Sequence, residues 1–319
     1  MVCSVMFYNL ENLYDTINDP LTNDDEFTPT GAKRWTEVKY RRKISNLGEV
    51  FSAVSSLPGG FPVLVGVSEI ENDSVLDDLV GQKMLSGANY RYIHYESNDC
   101  RGVDVALLYK PNIFKVLESG PLKLVLRSGR EYIGRDILKV IGLLDGEKFC
   151  IYVCHFLSRR TGRDASCGFR RAGAETIYND ALQVREEHQG IKVIVMGDMN
   201  DGPSDFSLTN LLRAGKQTEG LEEGAFFNPM WTLMEEGLGT SLFKRRWTLF
   251  DNILVCKNLI ASSGSEGFHI APCGKGVHYA EIFKRNFMLE HGIPKRSYNG
   301  NHFSDGYSDH LPVLIHLEK

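Results

Sequence analysis

The chain has 319 residues, 42% of them hydrophobic and 24% charged, which places it among ordinary globular proteins with room for a large core. Its formal charge of -5, from 36 basic against 41 acidic side chains, argues against a protein that coats nucleic acid by bulk electrostatics, although it permits a local basic groove. No apolar stretch approaches the roughly 18 residues of a transmembrane helix, and the 7 cysteines follow neither a disulfide framework nor a paired zinc pattern.

In chain order, Val2 to Tyr8 reads as a buried strand with Asn9 just past it. A strand starting this early leaves no room for a signal peptide, so the chain reads as cytoplasmic, although one exported with its leader removed would look the same. Tyr40, Ile44, Leu47, Phe51, Val54 and Leu57 recur at helical spacing until Pro58-Gly59-Gly60 stops them. Val63 to Val67 is a strand leading to Glu69, and Ser74 to Leu85 a second helix. Strands follow at Val103 to Tyr109, Leu138 to Leu144 and Lys148 to Cys154, the last leading to His155. Cys150 and Cys154 fall in that apolar run and are expected to be buried free thiols. The arginine-rich stretch Phe156 to Arg171 leads into a helix from about Arg170 to Glu187, with Ala174, Ile177, Ala181 and Val184 on one face. Lys192 to Met196 precedes Asp198; Asn252 to Cys256 follows Asp251; Leu311 to Leu317 follows Asp309-His310. Strands and helices alternate, yet some strands follow one another directly, so the fold reads as α/β with mixed sheets. With no linker, low-complexity tract or repeat, residues 1–319 read as one domain and as a monomer.

The polar residues beside these strands carry the chemistry. Asn9, Glu69, His155 and Asp198 each follow a strand, while Asp251 and Asp309-His310 each precede one. In a mixed sheet the end of one strand and the start of an antiparallel neighbour share an edge, so these residues are expected to converge there. Asp198 and Asn200, two apart, can point the same way in extended backbone. The acid can take a proton from water and the amide can donate to a phosphoryl oxygen, unless the pair only makes an Asx-type turn. Of Asp309 and His310, one can bind a metal and the other stabilise phosphate charge, with the Asp251 carboxylate keeping the imidazole protonated; a satisfied surface histidine is the plainer alternative. Glu69 offers hard oxygens suited to magnesium, or else marks a helix N-terminus, and Glu71 reads as a turn or cap residue. Asn9 can order a metal-bound water or stand in a turn, and His155 can donate to a phosphate oxygen or be structural. There is no GxSxG elbow, no GxxxxGK[ST] loop and no HExxH, which leaves water as the nucleophile.

Taken in order, Tyr8-Asn9, Ser68-Glu69, His155-Phe156-Leu157, Gly197-Asp198-Met199-Asn200, Asp251 and Ser308-Asp309-His310 resemble the motif series of the endonuclease/exonuclease/phosphatase family. The stretches Tyr8 to Asp15 and Arg101 to Tyr109 are most similar to a bacterial branch of it. The resemblance spans nearly the whole chain and implies a four-layer α/β/β/α sandwich of two mixed sheets with outer helices. It implies that Glu69, with Asn9 and Asp309 nearby, holds Mg2+, for which Mn2+ can substitute. It further implies that Asp198 activates water, that Asn200, His155 and His310 contact the scissile phosphate, and that Asp251 orients His310. A histidine at position 155 is more similar to the deoxyribonuclease and phosphatase branches than to the abasic-site branch. The expectation is a metal-dependent hydrolase that cleaves phosphodiester bonds by direct attack of water, with nucleic acid among its candidate substrates. A phosphomonoesterase acting on a sugar, inositol or lipid phosphate is the alternative, and a catalytically silent binding protein the second. Arg159, Arg160 and Arg170, beside Arg163, are expected to overhang the site and bind substrate anions through forked donors.

Overall fold

The computed structural model describes residues 1–126, 134–261, 267–273 and 278–319. Strand β1 (Val2–Leu13) runs through the first sheet, between β2 (Leu64–Ile70), parallel to it, and the antiparallel C-terminal strand Val313–Glu318. Beyond β2 lie β4 (Asp104–Tyr109) and then β3 (Arg91–His94) at the edge, both joined antiparallel. Because successive strand residues point to opposite faces, β1 feeds two cores: Val5 and Phe7 pack between the sheets, while Met6 and Tyr8 pack under helices α1 (Glu37–Val54) and α2 (Asp73–Val80). The helical stripe expected from spacing supplies that outer layer, with Leu47, Val50, Phe51 and Val54 fully buried, each worth about 1.5–3 kcal/mol of burial.

The second sheet runs in the order β5 (Phe114–Leu122), β6 (Ile137–Leu144), β7 (Glu147–His155), β8 (Lys192–Asp198), then Asp251–Cys256 and two short edge strands. Strands β7 and β8 are parallel, and the other long neighbours are antiparallel. Helix α3 (Arg163–Glu187) covers its outer face through Ala174, Ile177, Ala181 and Val184. The result is the expected α/β architecture of two mixed sheets face to face with helices outside. Cys150 and Cys154 are buried free thiols. No helix among the described residues is long and apolar enough to cross a membrane.

Several boundaries differ from expectation: β1 runs on past Asn9 to Leu13, and α2 stops at Val80 rather than Leu85. Helix α3 starts at Arg163 rather than near Arg170, and Arg163 and Arg170 are paired with Asp205 and Asp201. Glu69 lies inside β2 rather than past it, at a point where the ladder skips from Ser68 to Ile70. Gly197 sets the spacing of two strand ends: a Cβ there would collide with the Cys154 carbonyl oxygen, so only glycine lets the end of β8 lie so close to the end of β7.

Candidate active site

The second sheet delivers its side chains from regular strand ends. His155 closes β7 and Asp198 closes β8, paired in register; Asp251 opens the next, antiparallel strand and pairs with Asp198 on its other side. Three ionisable residues thus stand in one row across three strands, an arrangement that arises because parallel and antiparallel neighbours share an edge.

The first sheet delivers its side chains from irregular backbone. Asn9 pairs with Ser68, after which both strands break register: Glu11 and Asn12 in β1, and Glu69 in β2, have φ of 51°, 52° and 60°. Left-handed backbone costs a non-glycine residue about 1–2 kcal/mol, and bulges of this kind re-aim side chains at strand ends. The Glu69 carboxylate recovers part of that cost, since its Oε2 accepts the Asn12 N–H at 2.9 Å. Asp309 and His310 come from the turn before the C-terminal strand. Ser308 fixes that turn, its hydroxyl donating to the Asn9 carbonyl at 2.7 Å and accepting the His310 N–H at 3.0 Å.

Asp198 is where the two sheets meet. Its Oδ2 accepts from Asn9 Nδ2 at 3.2 Å and lies 3.6 Å from His155 Nε2 and 3.9 Å from His310 Nε2. Its Oδ1 accepts the Asn200 N–H at 3.0 Å. Burial pushes this carboxyl up to about 7, against the pull of the His310 charge and with the help of Asp251. For His310, burial opposes the charged ring, but Asp251, 2.7 Å from Nδ1, outweighs it and holds the imidazole well above its ordinary value. His155 is the opposite case. Burial first, then the Arg135 guanidinium, depress it well below the ordinary value. Arg135 Nη1 lies 2.7 Å from His155 Nδ1 and 3.0 Å from Nε2, so a guanidinium that can only donate faces both ring nitrogens. Asn200 has left-handed backbone (φ 49°), and its side-chain amide donates to the Phe156 carbonyl at 2.9 Å, which leaves one amide hydrogen for a ligand.

Glu69 and Asp309 offer carboxylate oxygens and Asn9 an amide oxygen, which accepts the Glu11 N–H at 2.9 Å; hard oxygens are the donor chemistry that fits magnesium or manganese. Burial acts to neutralise Glu69, but the Arg101 charge leads the groups that hold it well below the usual carboxylate range, so the carboxylate is ionised. Asp309 is held by Arg296, Nη2 to Oδ2 at 2.9 Å.

The expected arginine contacts need correction. Arg170 is 1% exposed, and its guanidinium donates to Asp201 at 2.7 Å, Ser166 at 2.5 Å and the Arg163 carbonyl at 2.9 Å, so substrate cannot reach it. Arg159 donates to the Asn200 carbonyl at 2.6 Å and to Asp201 and Asp205, and its ring-face contact with Phe250 completes a structural role. Asp201 and Asp205 come just after β8 in the chain, so these arginines brace the turn that carries Asn200. Of the three named, Arg160 alone lines a cavity beside the site, of about 320 Å³, together with Lys33, Arg101 and Arg296. Arg101, Arg135, Arg296 and the buried pair Glu11 and Lys43 were not foreseen; Arg101 does open the stretch Arg101 to Tyr109 that carries part of the family resemblance.

A search of curated proteins by sequence finds no match. Among solved structures, the human Nocturnin catalytic domain with bound sulfate anion is similar at TM-score 0.58 and 17% identity, covering 99% of this chain and 93% of that one. D. rerio TDP2 complexed with single-strand DNA product is similar at TM-score 0.57 and 14% identity, covering 100% and 99%. An endonuclease/exonuclease/phosphatase family protein of Bacteroides thetaiotaomicron is similar at TM-score 0.57 and 16% identity, covering 99% and 98%. At these identities the structures establish the fold alone. The sequence profile of the Endonuclease/Exonuclease/phosphatase family matches residues 4–319, and the chain belongs to that family.

Proposed function

We propose that this protein is a magnesium-dependent phosphodiesterase that cleaves its substrate by direct attack of water, with Asp198 as general base. The observation that carries this reading is the setting of Asp198, a buried carboxyl near 7 within 4 Å of one neutral and one charged imidazole. In its ionised form it can take a proton from water. His310, kept charged by Asp251, then faces the charge that builds on the phosphoryl oxygens, and the His155 ring stands beside the same carboxylate, Nε2 3.6 Å from Asp198. Asn200 offers its free amide hydrogen to the same group.

Asp198, Asp251 and His310 lie close enough together to hold an ion themselves. Their protonation argues otherwise, because His310 Nδ1 is spent on Asp251 and the ring stays charged. Glu69, Asn9 and Asp309 are the better ligands, and a magnesium ion bound there neutralises phosphate charge as a Lewis acid. The neighbouring cavity, where Lys33, Arg101, Arg160 and Arg296 outnumber Glu11 and Glu26, favours a substrate that carries further negative charge beside the scissile group, as a polynucleotide does. D. rerio TDP2, similar in fold, was captured with a single-strand DNA product, which supports testing nucleic acid first.

The test compares bis(p-nitrophenyl) phosphate, p-nitrophenyl phosphate and a single-stranded oligonucleotide, with magnesium and with excess chelator. Diester and oligonucleotide cleavage that chelator abolishes is the expected result. Preference for the monoester would replace the reading with a phosphomonoesterase, and no turnover of any of the three would favour a silent binding protein.

A further inference from the structure

A second group of ligand-type side chains lies away from Asp198, around the connection that carries Arg101. His94 ends β3, Asp104 opens β4, and Glu96 stands between them. One ligand atom from each lies within 4.8 Å of the others. The His94 and Asp104 side chains are 2% and 4% exposed, while Glu96 faces solvent. His94 Nδ1 is 2.9 Å from a carboxylate oxygen of Asp73, the first residue of α2. An ionised carboxylate only accepts, so Nδ1 carries the proton, and a neutral ring then has its lone pair on Nε2. That buried Nε2 has no hydrogen-bond partner. It stands 3.6 Å from Asp104 Oδ2, too far for a hydrogen bond. Two donors at about 2.0–2.2 Å from one ion, subtending about 110–120°, lie about 3.3–3.8 Å apart, which this separation matches.

We propose that His94, Glu96 and Asp104 form a site for a divalent transition ion of the zinc type, with Asp73 holding the imidazole in its ligating tautomer. Imidazole with two carboxylates suits such an ion better than magnesium. The competing arrangement is an imidazolium shared by Asp73 and Asp104, whose charges raise His94 although burial opposes them. The ion has a structural consequence, because the same connection carries Asp99, 3.3 Å from Arg135, and Arg101, 3.5 Å from Glu69. Pinning the connection fixes both guanidiniums that flank the reaction centre.

Calorimetric titration of the full chain with Zn2+, in saturating Mg2+, tests this. The wild-type protein should bind one equivalent that His94→Gln lacks. Glu96→Gln, an exposed change that leaves the fold intact, should bind that equivalent at least about 10-fold more weakly. Asp73→Asn should weaken it about 10- to 100-fold, the usual effect of removing the partner of a ligating imidazole. Glu69→Gln should retain it in full, which separates this site from the magnesium reading. If Glu96→Gln and Asp73→Asn bind Zn2+ as tightly as wild type, or wild type binds no such equivalent, His94 is an imidazolium ion pair and the proposal is wrong.

Discussion

The two sheets meet at one edge but bring their side chains there by different means. The second sheet uses straight strand ends in register, so His155, Asp198 and Asp251 sit in a fixed row whose spacing is that of the ladder itself. The first sheet uses bulges, with Glu69 in left-handed backbone and the ladder broken just after Asn9. Proton transfer tolerates little error in distance, whereas magnesium keeps several waters in its octahedral shell and needs only one or two protein carboxylates placed beside it. The contrast therefore suggests a division of labour, with acid–base chemistry on the regular sheet and ion holding on the irregular one.

The largest effect expected from breaking the regular row is that of Asp198→Ala. Turnover at saturating Mg2+ should fall on the order of 100- to 10,000-fold, the worth of a general base, while the variant still melts cooperatively. Retention of more than about half the activity would show that Asp198 only shapes a turn.

A second break leaves the row intact and removes its brace. Arg170→Ala removes a fully buried guanidinium from Asp201, which keeps Arg159 and Ser207 as partners, so the loss is that of a charge-assisted hydrogen bond, about 1.5–3 kcal/mol. Chemical denaturation should show that loss; a stability within about 1 kcal/mol of wild type would contradict the structural assignment of Arg170.

The pH profile sharpens the comparison further. The active form needs Asp198 ionised and His310 charged, so kcat/KM should rise as pH increases through about 7 and fall at higher pH as His310 loses its proton. Asp251→Asn removes the charge that holds that proton, so the alkaline limb should move to lower pH. It should also be non-additive with His310→Ala, because Asp251 acts through His310. An unmoved limb, or multiplying effects, would separate the two residues.

The smallest effect belongs to Arg160→Ala. Its side chain is exposed and lines the cavity, so Tm should stay unchanged while KM for an oligonucleotide rises up to about 5-fold, as for an ionic contact of about 0.2–1 kcal/mol. KM for bis(p-nitrophenyl) phosphate should not move.

Much of this was legible in the sequence because it depends on local pattern. Strands buried on both faces, such as Lys192–Asp198, show as continuous apolar runs, and α1 shows as a clean helical stripe. Strand β5 was not legible: Phe114–Leu122 has mostly half-exposed or exposed residues and contains Gly120-Pro121, so neither an apolar run nor clear alternation marks it. Site residues such as Asp251 could be picked out because they abut apolar strands. Arg296 could not, since its role depends on Glu11, 285 positions away. Arg159 and Arg170 were misread for the related reason that a basic run does not reveal acids held against it from Asp201 and Asp205. Bulges were also hidden, because nothing in Ser68-Glu69-Ile70 announces a left-handed glutamate.

The division of labour is tested most directly by the Mg2+ dependence of kcat in Glu69→Gln and Asp198→Asn, measured side by side with wild type. Glu69→Gln should shift the half-saturating Mg2+ concentration upward, with turnover partly restored at high Mg2+. Asp198→Asn should leave that concentration near the wild-type value and depress kcat at every Mg2+ level. Equal shifts in the Mg2+ requirement for both variants, or none for Glu69→Gln, would contradict the account.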